Sequence, residues 1–190
     1  MSLVVVTGGA RSGKSGAAER LAASLGGPVV VAVAGRADDE EMARRIAAHQ
    51  LQRPQGFSTL EIGGDTGWLA SVPSGSCLVL ECLGTLLSLV VAEETMQEEE
   101  VASAQAEGLV WARTELLVDA LLSRDGDTIV VTNEVGDGIV PAYPSGRLFR
   151  DTLGRANRLL TERGQGAWLV VAGRCIDLHA VPTGLVWPVV

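Results

Sequence analysis

The first fifteen residues constrain this chain more than any other stretch. Leu3 to Val6 is a short apolar run of the kind that fills a buried parallel strand. Gly8 to Ser15, "GGARSGKS", then fits the pattern G-x-x-x-x-G-K-[ST], and an Ala- and Leu-rich helical segment follows, roughly Lys14 to Leu25. Strand, glycine loop and helix in this order make a phosphate-binding turn. Glycines let backbone N–H groups point inward around phosphate oxygens, and the helix N-terminus adds its partial positive charge. Gly8, Gly9, Ala10, Arg11, Ser12 and Gly13 are therefore expected to cradle the phosphates of a nucleoside triphosphate. Lys14 would reach the β- and γ-phosphates, and Ser15 would offer its hydroxyl to Mg²⁺. The alternative is a chance Gly-rich turn. Basic-residue usage weighs against it: of 15 basic residues fourteen are arginine, an excess that reads as codon bias, and the one lysine is Lys14. A mobile point charge suits that position better than a rigid guanidinium fork.

The rest of the chain alternates strand-like and helix-like segments. Pro28–Val33, Phe57–Ile62, Cys77–Leu80, Thr128–Thr132 and Trp168–Ala172 are short apolar or β-branched runs, and Leu185–Val190 is a candidate edge strand. Helices are expected over Asp38–Arg53, Leu83–Ala92, Val101–Leu122 and Arg147–Arg163. The first has four acids in its opening turn and Pro54 just past its end, and the last carries Phe149, Leu153, Ala156 and Leu160 at helical spacing. The acidic stretch Glu93–Glu100 reads as a solvated loop or helix end. This pattern predicts an α/β fold of the P-loop NTPase, RecA-like kind: a mainly parallel sheet with helices on both faces, in one domain spanning residues 1–190. Ligands in such sheets bind beyond the carboxyl ends of the strands.

Charge and cysteine content narrow the partners. A net charge of −8 disfavours non-specific binding to nucleic acid or to an anionic membrane, so any phosphate site must be local. Cys77, Cys82 and Cys175 are too few and too scattered for a disulfide framework or a zinc site, and are expected as reduced thiols in apolar surroundings. No segment reads as a signal peptide. The longest apolar region, Cys77–Ala92, is interrupted by Glu81 and is short for a membrane span. A cytoplasmic protein is the expectation.

Several residues on the ligand side of the sheet are candidates for chemistry. Glu81 ends an apolar strand, where a P-loop protein holds Mg²⁺ directly or through water; the alternative is a solvent-facing acid at a helix start. In "TNEVGDGIVP", Asn133 and Glu134 can hydrogen-bond a ligand while Gly136 and Gly138 permit close backbone approach, or the segment is a structural turn. Arg147, Arg150 and Arg158 could share a helix face and grip phosphate, although a solvated basic face is the simpler reading. His49 lies with Met42 and Ile46 on one face of its expected helix. Imidazole is both a proton carrier and a nucleophile, but a histidine in a last helical turn also suits the helix dipole, and spacing alone favours that structural role.

Taken as an ordered set, "VTGGARSGKS", "DEEMARRIAAHQLQRP", "LVLEC", "VVTNEVGDGIVP", "FRDTLGRANRLL" and "WLVVAG" closely resemble the bifunctional adenosylcobinamide kinase/adenosylcobinamide-phosphate guanylyltransferase family of cobalamin assembly. The resemblance implies two reactions. In the first, ATP or GTP phosphorylates adenosylcobinamide. In the second, GTP guanylylates an enzyme histidine, and the GMP passes to adenosylcobinamide phosphate, giving adenosylcobinamide-GDP. The family's nucleophile is the histidine of R-I-x-x-H-x-x-x-R-P, which falls here on Arg45 to Pro54, so the resemblance makes His49 the carrier of GMP. It further implies nucleotide contacts at Ala34, Gly35 and Arg36, at Gln50, Leu51, Gln52 and Arg53, and at Glu61 and Glu81. It implies Mg²⁺ at Ser15 and Glu81, and a homo-oligomer, a homotrimer in the family. Ala34 and Gly35 stand where hydroxyl-bearing residues are common, Glu81 where Asp is usual, and Gly84 where Thr is often found. His179 receives no role. Competing readings are a single-function P-loop kinase with a structural His49, a GTP-binding regulator, against which the lack of N-K-x-D counts, and a nucleotide-holding pseudo-enzyme.

Overall fold

The structure, a computed structural model, describes residues 1–34, 56–95 and 103–184. Seven strands form one sheet. They are β1 (Leu3–Thr7), β2 (Val29–Ala34), β3 (Phe57–Ile62), β4 (Cys77–Glu81), β5 (Thr128–Val131), β6 (Gly166–Val171) and β7 (Arg174–Asp177). Their order across the sheet is β3-β2-β4-β5-β1-β6-β7, with every pairing parallel except β6 with β7. Four α-helices, α1 (Lys14–Ser24), α2 (Leu83–Thr95), α3 (Ala104–Ser123) and α4 (Pro144–Arg163), and a short 3-10 helix at Gly67–Ser71 complete the described elements.

The strands are continuously apolar because both faces are covered. On β2, Val29, Val31 and Val33 pack with Ala18 and Ala22 of α1, whereas Val30, Ala32 and Ala34 join the core formed with α2, α3 and α4. Period-two alternation thus sends one side chain to each helical layer. Helix α4 buries Leu153, Ala156 and Leu160 completely, as its spacing predicts. No described helix is long and apolar enough to cross a membrane.

Element ends differ from expectation where a cap or turn decides them. Helix α3 starts at Ala104 rather than Val101 because Ser103 is extended and its hydroxyl accepts from the Ala106 N–H at 3.1 Å. Helix α4 starts three residues early, at Pro144, since proline's fixed φ and missing N–H suit a first helical position. One edge of the described sheet is β3 and the other is β7, reached through a tight turn at Ala172 (φ 49°) and Gly173 (φ 77°). Alanine seldom adopts positive φ, so "VAGR" does not advertise a hairpin. The expected helix over Asp38–Arg53, the end of the acidic stretch after Thr95 and the candidate strand Leu185–Val190 lie outside the described residues. The cysteines do not share one environment. Cys77 is buried, and desolvation pushes its thiol up to about 11. Cys175 is exposed on the edge strand rather than in apolar surroundings, because β7 has no helix over it to bury alternate residues.

Candidate active site

The glycine loop leaves β1 at the carboxyl edge of the sheet and enters α1 at Lys14. Two glycines hold conformations that other residues resist, Gly8 at φ 152° and Gly13 at φ 96°. The loop is braced from both neighbouring strands. The Glu134 N–H beyond β5 donates to the Gly8 carbonyl at 3.2 Å, and the Gly173 N–H in the β6–β7 turn donates to the Ser12 carbonyl at 2.8 Å. A Cβ on Gly8 would overlap the Val170 carbonyl oxygen. Gly8→Ala should therefore displace the loop from β6 and lower Tm by about 5 °C, taking strain of about 2 kcal/mol for such a backbone in a chain of this size. Thermal melting with and without GTP checks this; an unchanged Tm and undiminished stabilisation by GTP would show that the loop tolerates the methyl.

Lys14 is nearly buried, and its ammonium donates to the Gly9 carbonyl at 3.0 Å inside the loop. Such a group can exchange a carbonyl for phosphate oxygens over a short swing of its side chain. At the next residue of the same helix start, the Ser15 hydroxyl donates to Glu81 Oε1 at 2.7 Å. Glu81 sits two strands from β1, yet the start of α1 overhangs β5 and closes that gap. A hydroxyl and a carboxylate side by side, next to a phosphate loop, are the hard oxygen donors that suit Mg²⁺. Among the described residues there is no cluster of three or more His, Cys, Asp or Glu side chains that would make a metal cage of protein ligands alone.

The structure brings Gly8–Ser15 and Glu81 into one site. Ala34 ends β2 at the same edge, but its side chain is buried in the core, leaving only backbone to meet a ligand. Glu61 is exposed on β3, opposite Val33. Four strand spacings separate β3 from β1, about 19 Å, so Glu61 stands well apart from the phosphate loop. Gly35, Arg36, His49, Gln50, Leu51, Gln52 and Arg53 lie outside the described residues.

The arginines of α4 have different partners from one another. Arg147 donates to the Pro141 and Ala142 carbonyls at 3.1 and 2.7 Å, and Arg150 donates to the Gly136 carbonyl at 2.8 Å. Both fasten the segment after β5. Arg155 lies 3.8 Å over the Trp111 ring, and only Arg158 makes the expected exposed pairing, with Glu162. His179 bonds the Thr161 carbonyl through Nε2 at 2.8 Å, far along the chain from the loop.

Sequence reasoning missed Thr132 and Asn157. The Thr132 hydroxyl donates to Asn157 Oδ1 at 2.7 Å, and Asn157 Nδ2 donates to the Asn133 carbonyl at 3.0 Å. The available signal was an asparagine on the apolar stripe of α4, between Leu153 and Leu160, where a polar side chain must find buried partners.

Known proteins resemble this chain over most of its length. The model of the cobinamide kinase/cobinamide phosphate guanyltransferase family matches residues 4–178. The bifunctional adenosylcobalamin biosynthesis protein CobU of Salmonella typhimurium is 35% identical over 175 residues, which is 90% of this chain and 96% of that protein. The bifunctional adenosylcobalamin biosynthesis protein CobP of Pseudomonas aeruginosa is 33% identical over 180 residues, 94% of this chain and 98% of that protein. Among solved structures, an ATPase from the type III secretion system of pathogenic bacteria superposes with a TM-score of 0.58 at 11% identity, covering 96% of this chain and 59% of its own. A Pyrococcus horikoshii protein superposes with a TM-score of 0.52 at 10% identity, covering 93% of this chain and 85% of its own. At such identities the likeness concerns the fold, which is that of RecA-like P-loop NTPases.

Proposed function

The chain belongs to the cobinamide kinase/cobinamide phosphate guanyltransferase family, and from that premise we propose that it performs both transfers at the P-loop site. The first moves the γ-phosphate of ATP or GTP to the hydroxyl of adenosylcobinamide. The second moves GMP from GTP to adenosylcobinamide phosphate through a phosphoramidate on His49. The observation that carries the reading is the constellation of Lys14 on the loop and Ser15 against Glu81 at 2.7 Å.

In the first reaction the loop amides and Lys14 hold the β- and γ-phosphates. The acceptor oxygen attacks the γ-phosphorus, the bond to the β–γ bridging oxygen breaks, and the hydroxyl proton is released. Lys14 neutralises charge that gathers on the departing diphosphate. Ser15 and Glu81 would hold Mg²⁺, which when bound offsets phosphate charge as a Lewis acid. In the second reaction a neutral His49 imidazole attacks the α-phosphorus and pyrophosphate leaves. The adduct then yields GMP to the phosphate of the acceptor, and the imidazole is restored. Contacts of the nucleotide with Gly35, Arg36 and Gln50 to Arg53, with the Ala34 backbone and with Glu61 belong to the same proposal. Given its distance from the loop, Glu61 would meet a part of the ligand remote from the β- and γ-phosphates.

The test is a pair of label transfers with adenosylcobinamide as acceptor. Label from the γ-position of ATP or GTP should appear in adenosylcobinamide phosphate, and label from the α-position of GTP should appear in adenosylcobinamide-GDP. Transfer of the γ-label alone would reduce the protein to a single-function kinase. Transfer of neither, by protein that binds GTP, would overturn the proposal.

A further inference from the structure

Strand β5 lies between the two strands that carry the chemistry. Val131 pairs with Val6 of β1 on one side and with Glu81 of β4 on the other. Whatever follows β5 therefore emerges between the glycine loop and the Glu81 carboxylate. The next residues are Thr132, Asn133 and Glu134, and their backbone is fixed on both sides. The Thr132 N–H donates to the Val6 carbonyl at 3.0 Å and the Glu134 N–H donates to the Gly8 carbonyl at 3.2 Å.

Between these two anchors, the Asn133 carbonyl accepts from Asn157 Nδ2 at 3.0 Å. The orientation of the Asn157 carboxamide is determined by its partners, since the Asn133 carbonyl needs a donor and Asn157 Oδ1 takes the Thr132 hydroxyl proton at 2.7 Å. Asn157 is buried, so both of its polar ends must be satisfied within the protein. A buried polar side chain on α4, itself held by the Thr132 hydroxyl, thus fixes one backbone position. The side chain at that position is treated differently. The Asn133 carboxamide has no hydrogen-bond partner among the described residues. Its Nδ2 lies 3.5 Å from where a Cβ on Gly84 would stand, in the first turn of α2 just beyond Glu81.

Resting on the two-transfer reading above, we infer that Asn133 is a substrate-contacting residue of the P-loop site. Its carboxamide donates to the terminal phosphate of the bound nucleoside triphosphate, and Asn157 is the positioning residue that aims it. A carboxamide donating to a phosphate oxygen makes a charge-assisted bond, stronger than one between neutral groups. It would distinguish a triphosphate from a diphosphate, which lacks the oxygens it reaches.

The test compares binding of a β,γ-imido analogue of GTP with binding of GDP, in Mg²⁺ buffer, for the wild type, Asn133→Ala, Asn157→Ala and the double variant. Asn133→Ala should reduce the preference for the triphosphate about tenfold, the size expected for one hydrogen bond to a charged group, with GDP affinity unchanged. Asn157→Ala should reduce it by a smaller factor. The double variant should be no worse than Asn133→Ala, because Asn157 acts through Asn133. A preference within twofold of wild type in Asn133→Ala overturns the inference, as does an additive loss in the double variant. If Asn157→Ala fails to fold, the Asn133→Ala arm still decides the role of the carboxamide. A wild type that binds both nucleotides but phosphorylates no cobinamide would sink the two-transfer reading, while the nucleotide comparison would still judge Asn133.

Discussion

Lys14→Ala should leave a folded protein that catalyses neither transfer, with each rate reduced roughly a thousandfold, the loss typical of removing one preorganised charge-stabilising donor. The effect is large because the ammonium is held inside the loop itself, at the Gly9 carbonyl. It is the one lysine of the chain, it is nearly buried, and its closest polar contact is the loop's own Gly9 carbonyl. In both reactions negative charge builds on the departing diphosphate or pyrophosphate, so one substitution affects both. Lys14→Arg should rescue little, since a planar fork cannot occupy the space of a flexible stem ending in a point charge. Steady-state rates of γ- and α-label transfer, with a melting curve to confirm folding, check this. Retention of either rate within tenfold of wild type would remove Lys14 from the mechanism.

His49→Ala should separate the two activities. Phosphorylation uses the acceptor's own hydroxyl as nucleophile and needs no group from the protein to become covalent. Guanylyl transfer by the proposed route needs an enzyme nucleophile, and alanine provides none. Wild type incubated with Mg²⁺ and α-labelled GTP, then denatured, should carry acid-labile, base-stable label. His49→Ala should carry none, and should form adenosylcobinamide-GDP roughly a thousandfold or more slowly while phosphorylating adenosylcobinamide at close to the normal rate. Equal labelling of both proteins would place the adduct elsewhere. Equal loss of both activities would make His49 a structural residue.

These two predictions draw on different evidence. The place of Lys14 was legible in the first fifteen residues, because strand, glycine loop and helix are consecutive and their geometry is local. Glu81 was legible as the polar end of an apolar strand. Its association with Ser15 was expected only through a shared Mg²⁺; the direct hydrogen bond depends on how far α1 overhangs β5, a matter of sheet order. His49 is singled out by an ordered set of motifs rather than by any local physical signal, since a histidine near a helix end has a ready structural role.

The arginines of α4 have partners that no local pattern announces. Arg147 and Arg150 share a helix with basic spacing that suits phosphate, yet they reach the carbonyls of residues 136, 141 and 142. A guanidinium has five donors and takes whichever acceptors the fold supplies, so composition could not assign them. Asn157 was overlooked for a related reason. Its partners, Thr132 and Asn133, are 25 and 24 residues away in the chain and meet it only once α4 packs on the sheet.

The alternation of strands and helices, the apolar faces and the phosphate loop can be read straight from the chain, because periodicity, glycine conformations and helix starts act over a few residues. Only the tertiary structure decided that β5 runs between β1 and β4. With that order, the residues beyond β5 sit between Lys14 and Glu81, and a buried asparagine on a distant helix holds the backbone there. Strand order depends on which long-range pairings best bury both faces of the sheet, and no short stretch of sequence encodes that choice.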